Sequence, residues 1–349
     1  MNDLSYDYIP LAPPRKRRVL TLWIPIFLVA LGIINIVALK KMQLPPGPLD
    51  GYQNLNSVSP VYEDYAIPAV DERAVVTSLY SEAYTTGVLT LGQSLKDTNV
   101  TARKILLYLP HRITPHSLCR LRENGWELQP IERIPPPDSG RGVFHRFLDQ
   151  YTKLHIWGLD KAGIKVVIYI DGDTLVRRNF DELWQLPFSI AAVPDIYGDK
   201  RGFTLSFNAG VMFLRTSSAV RDDMLSKIGT AKYKHNDAEQ GFLNLYFGTQ
   251  VTRLPYIYNA NLAIKRKDGA IWESMMRDAR IVHYTLVKPF LDDEEAASVD
   301  RYPGSDYDEE TRLGLEKKKE MADGLWREEM IWWESTWQNM NADLEGKCS

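Results

Sequence analysis

The sequence predicts an α/β domain with a mostly parallel sheet and helices on both faces, preceded by a single transmembrane helix. Three observations predict it. From Arg73 onward, apolar strand-like runs alternate with helix-like spacing, the pattern of parallel strands joined by helical crossovers. The most apolar of those runs leads straight into an acidic pair, Asp171 and Asp173. Residues 19–39, VLTLWIPIFLVALGIINIVAL, hold no charged side chain, and about 20 such residues cross a bilayer core as a helix.

Residues 1–18 form a basic tail, expected to be cytosolic. Arg15, Lys16, Arg17 and Arg18 stand directly before the apolar run. Such an excess of positive charge keeps a short tail in the cytosol and sends the remaining chain into a lumen. A cleaved signal peptide has an apolar stretch of only about 7–15 residues, so the run is read as an anchor. Pro25 and Asn35 are tolerable within it. Residues 40–72 include LPPGPLDGYQNLNSVSP, which has no apolar periodicity and reads as a stem. Asn99-Val100-Thr101 fits the N-glycosylation acceptor pattern, a short pattern that chance also produces.

A globular domain is expected over residues 73–300. Its strands are read at residues 74–79, 104–109, 126–128 and 165–170, and its helices at 83–95, 114–124, 144–162 and 179–186. In such sheets ligands bind beyond the carboxyl ends of the strands. Residues 301–349 read as a helical extension, with one long helical pattern from Thr311 to Met340. Trp326, Met330, Trp333 and Trp337 fall on one face of it. That stripe is read as packing onto the domain, with contact to a membrane interface or an acceptor as the alternative. Lys317, Lys318 and Lys319 read as a solvated face.

Composition narrows the partners. A formal net charge of -3 argues against a nucleic-acid partner, which calls for a basic surface. The two cysteines, Cys119 and Cys348, match no metal-ligand spacing. A bridge between them is open but not required.

Two carboxylates one residue apart can both reach a hard cation that also holds a diphosphate. Asp306-Tyr307-Asp308 lies in an acidic stretch with no strand before it and reads as a chance occurrence. Asp171-Gly172-Asp173 follows the strand at 165–170, so a buried strand delivers both carboxylates to the ligand edge of the sheet. Gly172 permits close approach there. A turn that caps the helix at 179–186 is the structural alternative.

The segment YIDGDTLVRRNFDEL at 169–183 resembles the metal-binding segment of the glycogenin-like retaining glycosyltransferases, family 8. Further blocks follow in the family's order: VVTSLYSEAY at 75–84, TKLHIW at 152–157, FNAGV at 207–211, EQGFLN at 239–244, LPYIYN at 254–259, and IVHY at 281–284 with Lys288-Pro289. Several are most similar to fungal endomembrane members. The resemblance implies a GT-A-type, Rossmann-like fold and a UDP-sugar donor. It implies Mn2+, or another divalent metal, held by Asp171, Asp173 and His283. Thr77, Leu79, Ser81 and Tyr84 would line the uracil and ribose site, with Asp171 reaching the ribose. Lys288 would meet the diphosphate. Asn208, Ala209, Glu239 and Gln240 would surround the donor sugar, with Gln240, Glu239 and Lys153 as the catalytic candidates. Taken singly, each has a plainer reading. His283 fits a satisfied core histidine, Lys153 a surface lysine, Tyr84 helix packing, and residues 208–210 a turn.

Two departures bear on function. The family's usual DQG is Glu239-Gln240-Gly241 here. Glycogenin carries its self-glucosylated tyrosine shortly after the Pro-x-x-Tyr-Asn block, where this chain reads NLAIKRKDG at 261–269, without tyrosine. The expectation is therefore a retaining hexosyl- or N-acetylhexosaminyltransferase of the Golgi or endoplasmic reticulum. Its domain would be lumenal, in the manner of a type II membrane protein. Its acceptor would be a glycan, a lipid or a protein. A self-glucosylating primer and a non-catalytic sugar-binding protein on the same fold are the alternatives.

Overall fold

The structure is a computed structural model. It describes residues 17–41, 53, 55–56, 66–196, 206–291 and 307–348, with side chains in the first helix described for residues 23–36. The basic tail up to residue 16, most of the stem and the acidic stretch at 292–306, including Asp306, lie outside the described residues. The chain divides into two compact units, Met1–Tyr52 and Gln53–Ser349.

In the first unit, helix α1 (Arg17–Lys41) covers the expected anchor. Among the described residues no helix is long and apolar enough to cross a membrane. The exposed side chains of α1 include Trp23, Phe27, Leu28 and Ile34.

The second unit is built on a seven-stranded sheet in the order β3-β2-β1-β4-β7-β6-β8. Its strands are β1 (Arg73–Leu79), β2 (Arg103–Tyr108), β3 (Glu127–Pro130), β4 (Val166–Ile170), β6 (Ile190–Pro194), β7 (Phe207–Arg215) and β8 (Thr252–Arg253). Strands β3, β2, β1 and β4 run parallel. Strand β7 is antiparallel to both its neighbours, and β8 returns parallel to β6. A second sheet, β5-β10-β9, joins β5 (Thr174–Val176), β10 (Ile281–His283) and β9 (Ala260–Asn261). The α/β class and the mostly parallel sheet agree with the expectation.

Alternate residues of each strand feed opposite faces. Val75, Leu79, Leu106 and Ile168 join one core, under helices α2 (Thr85–Asp97) and α3 (Pro115–Glu123). Ala74, Val76, Val167 and Tyr169 join the other, with α4 (Ser218–Lys227) and α5 (Ala238–Phe247). The stretch Gln150–Ala162 is a 3-10 helix and lies on that second face.

Three expectations are corrected. The long C-terminal helix is two helices, α8 (Tyr307–Gly324) and α9 (Arg327–Leu344). Ala322, Asp323 and Gly324 take left-handed φ values between them, which an α-helix cannot continue through. Lys318 and Lys319 are not solvated but buried. Lys318 donates to the carbonyls of Pro289 and Leu291, and Lys319 pairs with Glu316 and Glu334. The stem is not wholly a spacer. Gln53 exchanges two hydrogen bonds with the backbone of Lys232, at 2.8 and 3.0 Å, and Asn56 donates to Gln250 at 2.7 Å.

The tryptophan stripe packs, as read. Trp326, Met330, Trp333 and Trp337 are all buried, and Trp333 stacks on Phe290 at 6.0 Å. Each such side chain stabilises the fold by about 1.5–3 kcal/mol. Cys119 and Cys348 form a disulfide that ties the C-terminus to α3.

Candidate active site

The site forms where β4 ends. The Asp171 N–H donates to the Gly210 carbonyl of the neighbouring β7 at 2.8 Å. The Thr174 hydroxyl closes the turn on the Asp171 carbonyl at 2.8 Å. Beyond that turn the chain becomes β5, which pairs with β10 so that Thr174 lies opposite His283. The Tyr284 N–H donates to the Asp173 carbonyl at 2.9 Å. Sheet register thus brings His283 to the acidic pair from more than a hundred residues away in the sequence.

Ligand-capable atoms of Asp171, Asp173 and His283 lie within 4.8 Å of one another. The Nδ1 of His283 is 2.9 Å from the Asn259 side-chain oxygen, which leaves Nε2 facing Asp173 at 3.3 Å. Burial alone would raise the Asp173 carboxyl, but Lys288 and His283 outweigh it and hold the group well below the usual carboxylate range. The residues fit a divalent metal. The donor set, two carboxylates and an imidazole, suits a borderline-hard cation. The floor of the cradle is Gly210, where a Cβ would sit 2.3 Å from His283 Cε1 and 2.9 Å from Asp171 Oδ2.

A buried charge network adjoins the cradle. Lys153 is fully buried; its Nζ lies 2.8 Å from Glu239 Oε1 and 3.3 Å from Asp171 Oδ1. Burial opposes its charge, yet Asp171 and Glu239 raise its pKa above the ordinary lysine value. Lys153 also donates to the Ala209 carbonyl at 3.3 Å. The Ala209 N–H donates to Gln240 Oε1 at 2.9 Å, and Gln240 Nε2 donates to Asp195 at 2.8 Å. Asn208 Oδ1 accepts from the Gly210 N–H and from the Asn259 side chain. Asn244 holds the start of β7 through both the N–H and the carbonyl of Phe207.

The expected nucleotide residues lie along β1 and the turn after it. Thr77 is fully buried, and its hydroxyl has no hydrogen-bond partner among the described residues. Ser81 precedes the 3-10 turn Glu82–Tyr84. Tyr84 meets Phe290 edge-on at 5.4 Å and lies 5.7 Å from the Lys288 ammonium. Lys288 itself pairs with Asp173. The Leu79 side chain packs into the core instead, and its carbonyl accepts from the Leu109 N–H at 3.2 Å.

Sequence reasoning did not single out Asn259, Asp195, Asn244 or Gly210 as working parts. Asp195 had a legible signal, a carboxylate just past the buried strand β6. Asn259 stood within a recognised block and only the fold shows its partner.

This fold, with an acidic pair at its ligand edge beside a buried lysine–carboxylate network, is a glycosyltransferase domain. The chain belongs to the glycogenin-like members of one family: the model of "Glycosyl transferase family 8" matches residues 76–294. It is 32% identical over 216 residues to UDP-glucuronate:xylan alpha-glucuronosyltransferase 2 of Arabidopsis thaliana, covering 60% of this chain and 34% of that protein. It is 29% identical to Inositol phosphorylceramide glucuronosyltransferase 1 of the same plant, covering 62% of this chain and 42% of that one. With Glycogenin-1 of Mus musculus it shares 27% identity, covering 61% of this chain and 63% of that one. The chain thus spans about a third to two fifths of the length of these plant relatives. The bifunctional glycosyltransferase WbbM, solved in its apo form, shares the fold with a TM-score of 0.50 at 18% identity, covering 80% of this chain and 53% of that one.

Proposed function

We propose that this chain is a retaining glycosyltransferase that moves a hexose or an N-acetylhexosamine from a UDP-sugar to a glycan, lipid or protein acceptor. The observation that carries this reading is the meeting of Asp171, Asp173 and His283 beside the Lys153–Glu239 pair. A divalent cation such as Mn2+, when bound by those three residues, supplies positive charge that eases departure of a diphosphate.

The chain's own residues bind and orient. Thr77, Ser81 and Tyr84 offer a polar and aromatic edge to a uridine. Lys288 adds a point charge beside the diphosphate position. Lys153 and Asn208 face the place of the donor sugar. Glu239 is engaged by Lys153 at 2.8 Å and is not set up as a free nucleophile. Transfer with retention then relies on orientation and on electrostatic stabilisation of the departing UDP.

The same reading places the domain in the lumen of the Golgi or endoplasmic reticulum, behind an anchor at residues 19–39. It is supported by the uncharged run and by α1 across it. A disulfide suits an oxidising compartment, and Asn99 is exposed. The glycogenin-like primer reading is disfavoured, because the stretch after the Pro-x-x-Tyr-Asn block, which includes α6 (Leu262–Lys267), contains no tyrosine.

The test is UDP release by the full chain in detergent, with a panel of UDP-sugars and acceptors, in Mn2+ and in chelator. Release that requires the metal and one donor supports the reading. No release with any donor overturns it.

A further inference from the structure

The inference here rests on the proposed use of a nucleotide-sugar donor, in which Lys288 meets the diphosphate. Lys288 opens a tight turn, Lys288-Pro289-Phe290-Leu291, with proline in the second place, where its fixed φ suits a turn. Lys288 pairs with Asp173. The Phe290 ring meets Tyr84 edge-on at 5.4 Å. It also presses on α2 at Gly87, where a Cβ would lie 2.6 Å from that ring and 2.6 Å from the Gly172 carbonyl. A shift of this one turn therefore disturbs the lysine, the Tyr84 face and the acidic turn together.

Contacts from the C-terminal extension hold the turn. Lys318 of α8 is buried, and its ammonium donates to carbonyls on both sides of Phe290, to Pro289 at 3.3 Å and to Leu291 at 2.6 Å. Trp333 of α9 is fully buried and stacks on Phe290 at 6.0 Å, with Trp337 stacked behind it at 6.2 Å. A third contact falls beside a metal-ligand candidate. The Tyr284 hydroxyl donates to the Glu329 carbonyl of α9 at 2.7 Å, while its N–H donates to the Asp173 carbonyl at 2.9 Å.

Burying an ammonium is costly, and packing alone would be served by an apolar side chain at position 318. Apolar contact is non-directional, whereas a charged donor shared by two carbonyls fixes where the turn sits.

We propose that Lys318 and Trp333 are positioning residues of the donor site. The C-terminal extension clamps the turn at 288–291, so that the Lys288 ammonium is held at the diphosphate position before the donor arrives. The extension acts on donor binding through Lys288, without touching the donor.

The experiment is calorimetric binding of UDP to the full chain in detergent with Mn2+, run as a double-mutant cycle between K318M and K288M. K318R keeps the charge and the N–H donors. K319M breaks the neighbouring buried pairs with Glu316 and Glu334 and is the control for lost stability. K318M is expected to weaken UDP binding by about tenfold, K318R to recover part of that loss, and K319M to bind as wild type does. In the K288M background, K318M should cost less than about twofold. W333F tests the contact through Phe290, should weaken UDP binding in the same Lys288-dependent way, and carries the test if K318M does not fold. Wild-type affinity in both K318M and W333F overturns the inference while the proposed function stands. So does an undiminished loss in the K288M background, or an equal loss in K319M. Failure of the wild type to bind UDP overturns both.

Discussion

The Asn259 side chain gives its oxygen to His283 Nδ1 and its nitrogen to Asn208 Oδ1, each at 2.9 Å. The amide can donate to Asn208 only through its nitrogen, so its oxygen must face the imidazole. Nδ1 therefore carries the ring proton, and Nε2 is left with its lone pair toward the cradle. Partners of this kind orient a ligating histidine and are worth about 10–100-fold in metal affinity. Asn259→Leu is expected to weaken Mn2+ binding by about that factor, measured by titration calorimetry. Asn259→Asp keeps the acceptor and retains most of the affinity. Unchanged Mn2+ affinity in Asn259→Leu would show that the contact does not orient the ring.

Gly210 is the position where shape alone blocks the cradle. A methyl group there meets His283 Cε1 at 2.3 Å and Asp171 Oδ2 at 2.9 Å. Gly210→Ala is expected to cut sugar transfer by about a hundredfold, since a displacement near 1 Å costs that much. Circular dichroism checks that the fold survives.

The two Asp-x-Asp segments separate in the same assay. Asp171→Asn or Asp173→Asn is expected to abolish transfer and Mn2+ binding while the fold persists. Asp308→Asn is expected to leave both unchanged, because among the described residues its carboxylate accepts one hydrogen bond, from the Asn341 amide at 3.3 Å, and lies outside the Asp171–Asp173–His283 cluster. Equal losses at Asp173 and Asp308 would place the metal at the wrong pair.

These cases also show what the sequence could reveal. The segment Val166–Ile170 and the acids after it are local: an apolar run and its terminus read together. The sheet class followed from the same local alternation. The cradle floor is not local. Gly210 had to be glycine only because β7 lies beside β4 and His283 arrives from β10. Lys318 and Lys319 misled for a related reason. Their burial depends on carbonyls at Pro289 and Leu291 and on Glu334, partners that helical spacing does not display. The break at Ala322-Asp323-Gly324 was legible as a turn signal but was outweighed by the apolar periodicity on either side.

The disulfide should show in stability. Cys119 and Cys348 are 229 residues apart in sequence, and closing so long a loop restricts the unfolded chain strongly. Replacing both with serine is expected to lower the unfolding free energy by about 2–5 kcal/mol in urea titrations. Dithiothreitol should bring the wild type to the same level. A double variant as stable as wild type would contradict the tie between α3 and the C-terminus.

Lys104 gives a pH dependence. Burial, and then the like charge of Lys96, lower its pKa to about 8. Its ammonium donates to the Asn124 carbonyl at 2.8 Å and to the Gly92 carbonyl at 3.4 Å. Between that value and the unfolded lysine value near 10.4, the unfolded state binds more protons, so stability from this group rises with pH. Below pH 8 the group is charged in both states and its burial cost is fully present. Relative to Lys104→Met, the wild type is expected to gain stability from pH 8 to pH 10, on the order of 2–3 kcal/mol. Parallel urea curves at the two pH values check it; a constant difference between the proteins would count against the assignment.

Gln240 carries the last prediction. Its amide is oriented from both ends, with Oε1 accepting from the Ala209 N–H at 2.9 Å and Nε2 donating to Asp195 at 2.8 Å. The oxygen retains a second lone pair, and the sequence resemblance places this residue against the donor sugar. An oxygen held there is stabilising mainly when positive charge develops at the anomeric carbon. Gln240→Ala is therefore expected to lower kcat with little change in donor affinity, the mark of an interaction realised in the transition state. Gln240→Glu sets a second carboxylate against Asp195, and like charges that close raise one carboxyl pKa. Its activity should be low at neutral pH and recover in part toward pH 5, as the pair takes up a shared proton. A flat profile would mean that the Asp195 contact does not set the orientation. The product, by NMR, should keep the α configuration of the donor. A β-linked product would exclude retention, and a sugar trapped covalently on Glu239 would replace same-face transfer with double displacement.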